Sequence, residues 1–317
     1  MRPLRNPALG LAMILALAAL PAAGDVAFVT CQNGDAVSVL DLSTGEETAR
    51  WSVPGKPAGV AVGTGGTAVF TVSPDSKTVR RLSLDGAVRA EVTLDGGPVG
   101  VAHDGRHRRL FVSDWYNARL WVLDAETLVP QAELSAGAAP AGLAISPDGR
   151  ILAAAVRDAD QVTLYDTETL APLHEVSVGT RPFGLGFAPD GRLFAGNVGS
   201  NDVTVIDPAS GEVLATVPVG KRPYGVAFAA GRAFVTNQYA NTVSVLSLDD
   251  LSTVATVEVG EYPEGVAATS DGRIAVANWF DNTLSLIDAE TLEVTASLDT
   301  ADGPRAFGAF ILTGDLP

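Results

Sequence analysis

The sequence predicts an all-β chain folded as a seven-bladed β-propeller with four antiparallel strands in each blade. Three observations carry this expectation. A Pro followed two residues later by Gly recurs at Pro57, Pro98, Pro140, Pro182, Pro223 and Pro263, with an altered copy at Pro304, in steps of 41, 42, 42, 41, 40 and 41 residues. Each period holds four short strand-like runs and no capped helical pattern. The two chain ends carry complementary fragments of one period.

The period starting at Pro223 shows its elements in order. Gly225-Val226-Ala227-Phe228 is a short apolar run, strand A, closed by the turn Ala230-Gly231-Arg232. Ala233-Phe234-Val235-Thr236-Asn237 is strand B, and the loop 238–241 follows it. Thr242-Val243-Ser244-Val245-Leu246 alternates with period two, as a half-buried strand C should. A turn near Asp249 leads to strand D, 254–259, which alternates again.

The recurring residues have physical roles. Proline lacks an N–H, which does no harm at a strand's first residue. The glycine two positions on lets the innermost strands crowd around the axis. Asp148-Gly149, Asp190-Gly191 and Asp271-Gly272 read as tight turns joining A to B. Asp41, Asp124, Asp166, Asp207 and Asp288 end strand C and can accept hydrogen bonds from the turn that follows.

The ring closure is legible at the ends. The domain begins with a B strand, 26–31, followed by C and D, and it finishes with a lone A-type strand at about 305–312. The C-terminal strand is therefore expected to join the N-terminal blade, leaving no open sheet edge.

Residues 1–24 read as a signal peptide. Arg2 and Arg5 precede the uncharged apolar run 9–20, and Pro21-Ala22-Ala23-Gly24 supplies the small residues of a cleavage site. Residues 25–317 are assigned to the propeller, expected to be a periplasmic or secreted monomer without membrane insertion. Without the leader the chain carries 19 Lys and Arg against 37 Asp and Glu, a net charge of −18. That balance argues against nucleic acid and anionic membranes as partners. One cysteine, Cys31, allows neither a disulfide framework nor a Cys-based metal site, and no Cys-x-x-Cys-His is present for covalent haem.

Phe234-Val235-Thr236-Asn237 with Asn241-Thr242-Val243-Ser244-Val245 resembles the repeat of the YVTN-family β-propellers. Ala275-Val276-Ala277-Asn278 with Asn282-Thr283-Leu284-Ser285 is a second match, and Phe111-Val112-Ser113-Asp114 and Phe194-Ala195-Gly196-Asn197 are looser ones. The sequence departs from the pattern at Val72 and Val156, where the family has Asn, and at Arg305-Ala306-Phe307-Gly308. The resemblance implies an exported binding or accessory protein, of the kind that accompanies periplasmic PQQ-dependent quinoprotein dehydrogenases oxidising alcohols or amines.

In this strand order the D–A and B–C loops share one face, and the A–B and C–D turns share the other. The first face collects Trp115, Tyr116, Phe183, Tyr224, Tyr239, Tyr262, Trp279, Phe280 and Phe307, together with Arg157, Arg181, Arg222 and Arg305 and the lysines Lys56 and Lys221. Amphipathic aromatics beside arginines are typical of recognition surfaces. In an acidic chain, cations gathered on one rim favour a small anionic ligand or a periplasmic partner protein.

The strand-B ends Asp114, Asn197, Asn237 and Asn278 place four oxygen-bearing side chains at one level, a set that would suit Ca²⁺ or Mg²⁺. The expectation is nonetheless that the chain carries no cofactor and that these residues stabilise their loops as Asx-type turns. His103, His107 and His174 assemble no catalytic set, so Glu264, at the channel mouth, is the best lone acid or base. The reading is a non-catalytic binding protein. The alternative is a metal-dependent lactonase or lyase with its site in the central channel.

Overall fold

The computed structural model describes residues 24–314 and shows seven antiparallel sheets arranged around an axis. The proposed leader lies outside the described residues except for Gly24. Among the described residues the only helix is a single turn, Arg157–Ala159. Among these residues no helix is long and apolar enough to cross a membrane.

Blade 5 represents the pattern, with Pro223–Ala229, Arg232–Asn237, Thr242–Ser247 and Thr253–Glu258 paired in sequence order from the axis outward. Strands B and C are buried along nearly their whole length, whereas strand D exposes alternate residues. This gradient follows from stacking: blades cover both faces of B and C, while D forms the rim. Phe28, Phe70, Phe111, Phe194 and Phe234 each stand three residues before the last residue of their B strands, and each is almost fully buried between sheets.

Side chains tie each blade to the next. The Thr30, Ser113 and Thr236 hydroxyls donate to the A-strand carbonyls of Ala58, Ala141 and Glu264 at 2.7, 2.7 and 2.8 Å. On the opposite face, Arg109 Nη1 donates to Thr167 O at 2.6 Å and Arg273 Nη2 to Leu42 O at 2.9 Å, with Arg192 and Arg232 making equivalent bonds. The strand-C aspartates accept N–H bonds from their turns as expected; Asp124 Oδ1, for example, binds Thr127 N at 2.8 Å. The glycines of the three Asp-Gly turns lie at φ +71°, +91° and +84°.

The C-terminal segment closes the ring. Ile311–Leu312 pairs antiparallel with Val26–Cys31, and Pro304 bridges Cys31. Phe28 N donates to Phe310 O at 2.8 Å, and Arg305 N to Thr30 O at 2.7 Å. The closing strand is not the single continuous element the sequence predicts. Phe307–Ala309 leaves the blade and pairs parallel with Gly59–Val62 of blade 1. In this copy Gly stands four residues after Pro rather than two, and the surplus is absorbed at Ala306, with φ +46°, and Gly308, with φ +128°.

One register assignment is corrected. Val60 pairs with Thr71, as Val101 pairs with Val112, so Ser73 rather than Val72 stands opposite the Asn of other blades. The A–B turns differ in length, so counting from the Pro-x-Gly signature does not set the end of strand B.

Candidate functional site

The loop face is built by one bond repeated around the ring. The first B–C loop residue donates its N–H to the carbonyl of the residue before the blade's Pro: Trp115 to Gly97, Arg157 to Ala139, Val198 to Arg181, Gln238 to Arg222, Trp279 to Tyr262, and Gln32 to Gly303. A second bond fixes the D–A loop. The Asp160, Asn201 and Asn241 side chains accept the N–H groups of Arg181, Arg222 and Tyr262 at 2.7, 2.9 and 3.2 Å. These three residues are held at φ +55°, +56° and +58°, a region non-glycine residues enter only when the surroundings over-determine it. Both loops therefore hold their side chains on one face.

The aromatic residues form two groups. Phe183 packs against Tyr224 at 4.3 Å and Phe307 at 4.8 Å between ring centroids, with Trp115 at 6.2 Å. Phe183, Tyr224 and Phe307 are buried, so this group plugs the axis. Arg157 lies over the Trp115 ring at 5.3 Å and is ion-paired to Asp158. The second group faces solvent: Tyr262 contacts Phe280 at 4.4 Å and Tyr239 at 5.0 Å, and Trp279 contacts Phe280 at 4.7 Å. Tyr239 is 49 % exposed and Phe280 53 %. Arg222 stacks over Tyr239 at 4.2 Å and has no ion-pair partner among the described residues.

A polar knot joins the groups. Glu264 is 1 % exposed and accepts from Arg305 Nε at 2.6 Å and from Gln238 Nε2 at 2.6 Å. Arg305 Nη2 donates to the Tyr224 hydroxyl at 2.8 Å, and its guanidinium lies 5.9 Å from the rings of both Tyr224 and Trp279. Burial acts to lower the Arg305 pKa, but the Glu264 charge overcomes this and raises it. Burial also raises the Tyr224 phenol, which stays protonated. Glu264 is a neutralised anchor whose two oxygens are both engaged, a poor arrangement for a general acid or base.

The structure thus brings together Trp115, Arg157, Phe183, Arg222, Tyr224, Tyr239, Tyr262, Glu264, Trp279, Phe280 and Arg305. Tyr116 stands apart, 75 % exposed with its ring against Gly97, and Arg181 is exposed, with no aromatic ring beneath it and no ion-pair partner among the described residues. Gln238 and Gln32 are members that sequence reasoning missed. Each is the first residue after its strand-B end, the slot that Trp115 and Trp279 fill elsewhere, so superposing the repeats would have found them.

The four strand-B ends each make their own hydrogen bonds, and the Oδ1 atoms of Asn197, Asn237 and Asn278 are buried without a partner among the described residues. Asn197, Asn237 and Asn278 each donate Nδ2 to hydroxyls of their own C strand, Asn237 to Ser244 at 2.9 Å for example, and no two of the four share a partner. Asp114 alone makes the Asx-type turn, accepting Tyr116 N at 3.3 Å while pairing with Arg119 at 2.9 Å. The B strand stands second from the axis, and its end is covered by the D–A loop.

This geometry is that of a seven-bladed β-propeller with a closed, aromatic loop face. A family described as a seven-bladed β-propeller lactonase matches residues 111–230. Comparison with curated proteins gives no match. Among solved structures the chain is similar to a functionally unknown protein from Desulfotomaculum acetoxidans DSM 771, with TM-score 0.77 and 16 % identity, over 89 % of this chain and 99 % of that one. A streptogramin B lyase matches with TM-score 0.68 and 19 % identity, over 82 % and 92 %. The hydrazine synthase of Kuenenia stuttgartiensis matches with TM-score 0.66 and 19 % identity, over 80 % and 89 %. At these identities the likeness is one of fold, which by itself carries no activity.

Proposed function

We propose that the chain is an exported, non-catalytic binding propeller that holds a small anion, or an acidic segment of a periplasmic partner, on its loop face. The observation that carries this reading is the solvent-facing cluster Tyr239, Tyr262, Trp279 and Phe280 with Arg222 stacked on its edge. Apolar faces of this kind with an unpaired cation at the rim are typical of interaction hot spots. Arg222, Arg181 and Lys221 are the handles for negative charge, because Arg305 and Arg157 are already paired. The YVTN-like repeat supports an accessory role beside a quinoprotein dehydrogenase.

Co-purification from the native periplasm, compared between the wild type and R181A/R222A/W279A, tests the proposal. The partner or anion is expected to be retained by the wild type and lost from the variant. Unchanged retention overturns it.

The lactonase family match favours a second reading, a metal-dependent lactonase or lyase. Its test is elemental analysis for Ca²⁺ and Mg²⁺ with lactone hydrolysis measured in parallel. Stoichiometric metal with turnover would replace the binding reading.

A further inference from the structure

The axis is hollow on the opposite face. A cavity of about 590 Å³ opens between the A–B turns at Thr64, Pro147 and Pro189, and Phe307 lines it on the side of the aromatic plug. This volume falls within the ~300–1,000 Å³ of small-molecule sites. Its lining contains no Asp, Glu, Lys or Arg, in a chain carrying 37 acidic residues. Three residues beyond each repeat glycine the A strands place Val62, His103, Ile145, Phe187, Phe228 and Ala268, all on the cavity wall. Five are apolar, and only His103 is polar.

His103 is set up as a neutral donor. Its Nδ1 accepts the Thr64 N–H at 3.0 Å, which assigns the proton to Nε2. Nε2 has no hydrogen-bond partner among the described residues. The ring stacks on Phe70, with centroids 5.1 Å apart and 17° between planes, so its orientation is fixed. Burial lowers the imidazole pKa and keeps the ring uncharged at neutral pH, with Asp104 opposing and Arg81 assisting.

We propose that this channel binds a small, neutral, mainly apolar molecule with one hydrogen-bond acceptor, which the Nε2–H of His103 engages. A charged ligand would lose its hydration with no counter-charge on the wall, whereas an apolar one gains from burial. The site lies across the aromatic plug from the loop face and does not depend on the function proposed there.

Titration with the fluorescent ketone 6-propionyl-2-dimethylaminonaphthalene tests the inference. Saturable binding with a blue-shifted emission is expected for the wild type and for R181A/R222A/W279A. H103F should weaken it about five- to tenfold, the worth of one hydrogen bond. A144L/A267L, which fills the bore, should abolish it. In the wild type alone, 2-acetonaphthone should compete at least tenfold better than 2-naphthoate, a readout that needs no variant to fold. Absence of saturable binding, equal competition by the carboxylate, loss of binding in the loop-face variant, or binding undiminished in H103F or in a folded A144L/A267L would each overturn the inference.

Discussion

Arg305 Nε lies 2.6 Å from Glu264 Oε2, joining the irregular closing segment to the A strand of blade 6 across a separation of 41 residues. The carboxylate is sealed from water, whereas the guanidinium keeps 23 % of its side-chain surface exposed. Removing one partner of a pair as buried as Glu264 costs much more than removing both. R305M should therefore destabilise the protein by about 3 kcal/mol in urea unfolding, softened by the Gln238 donor that remains. R305M/E264Q should recover more than half of that loss. A double variant no better than R305M would show that the pair is not what holds the mouth together.

Asp114 should make stability pH-dependent. Burial pushes its carboxyl pKa up, but the Gly97 N–H, the Asn117 amide and the Arg119 guanidinium outweigh burial and hold the value below the ordinary 3.8. A depressed carboxylate stabilises the fold fully above its unfolded pKa, and the contribution disappears as pH falls through the folded value. The wild type should exceed D114N in unfolding free energy at pH 7, and the gap should narrow below pH ~4. A gap constant from pH 7 to pH 2 would contradict this assignment.

Ring closure should be separable from the rest of the chain. A protein ending at Gly303 lacks Ile311–Leu312 and the Phe310 carbonyl, leaving the edge of Val26–Cys31 unpaired. Unpaired edges promote aggregation. Size-exclusion chromatography should show oligomers, and circular dichroism on heating should show loss of the cooperative transition. A synthetic peptide covering residues 304–314 should restore the monomer.

Two glycines should respond very differently to alanine. A Cβ on Gly184 would overlap the Tyr224 carbonyl oxygen of the next blade, which is backbone and cannot move aside. At Gly191 a Cβ meets open space, so only the φ of +91° resists it. G184A should cost about 3 kcal/mol or more and G191A about 1–2 kcal/mol by urea unfolding. Equal costs would mean that the blades do not approach as closely as described.

Most of the architecture was legible because it is local and repeated. The Pro-x-Gly signature at Pro223 marks a strand crowded at Gly225, whereas the alternation in 242–246, read as half-buried, belongs to a strand that the neighbouring blades bury along nearly its whole length. The miss at Val72 arose because turn length, not strand pattern, sets register there. The grouping within the site was less legible. Trp115, Tyr116, Trp279 and Phe280 look alike as loop aromatics, yet Tyr116 stands alone while Trp279 and Phe280 pack together.

From its amino-acid order alone the chain sets the number of blades, the order of strands and the meeting of its ends, because each depends on short-range periodicity or on counting complete units. The tertiary structure alone decided that Arg305 is spent on Glu264, that Phe183 and Tyr224 plug the axis rather than line an open site, and that His103 is the one titratable side chain on a bore without Asp, Glu, Lys or Arg. Those relationships join residues tens of positions apart through the radius of the ring and the rotamers at its centre, which no local pattern encodes.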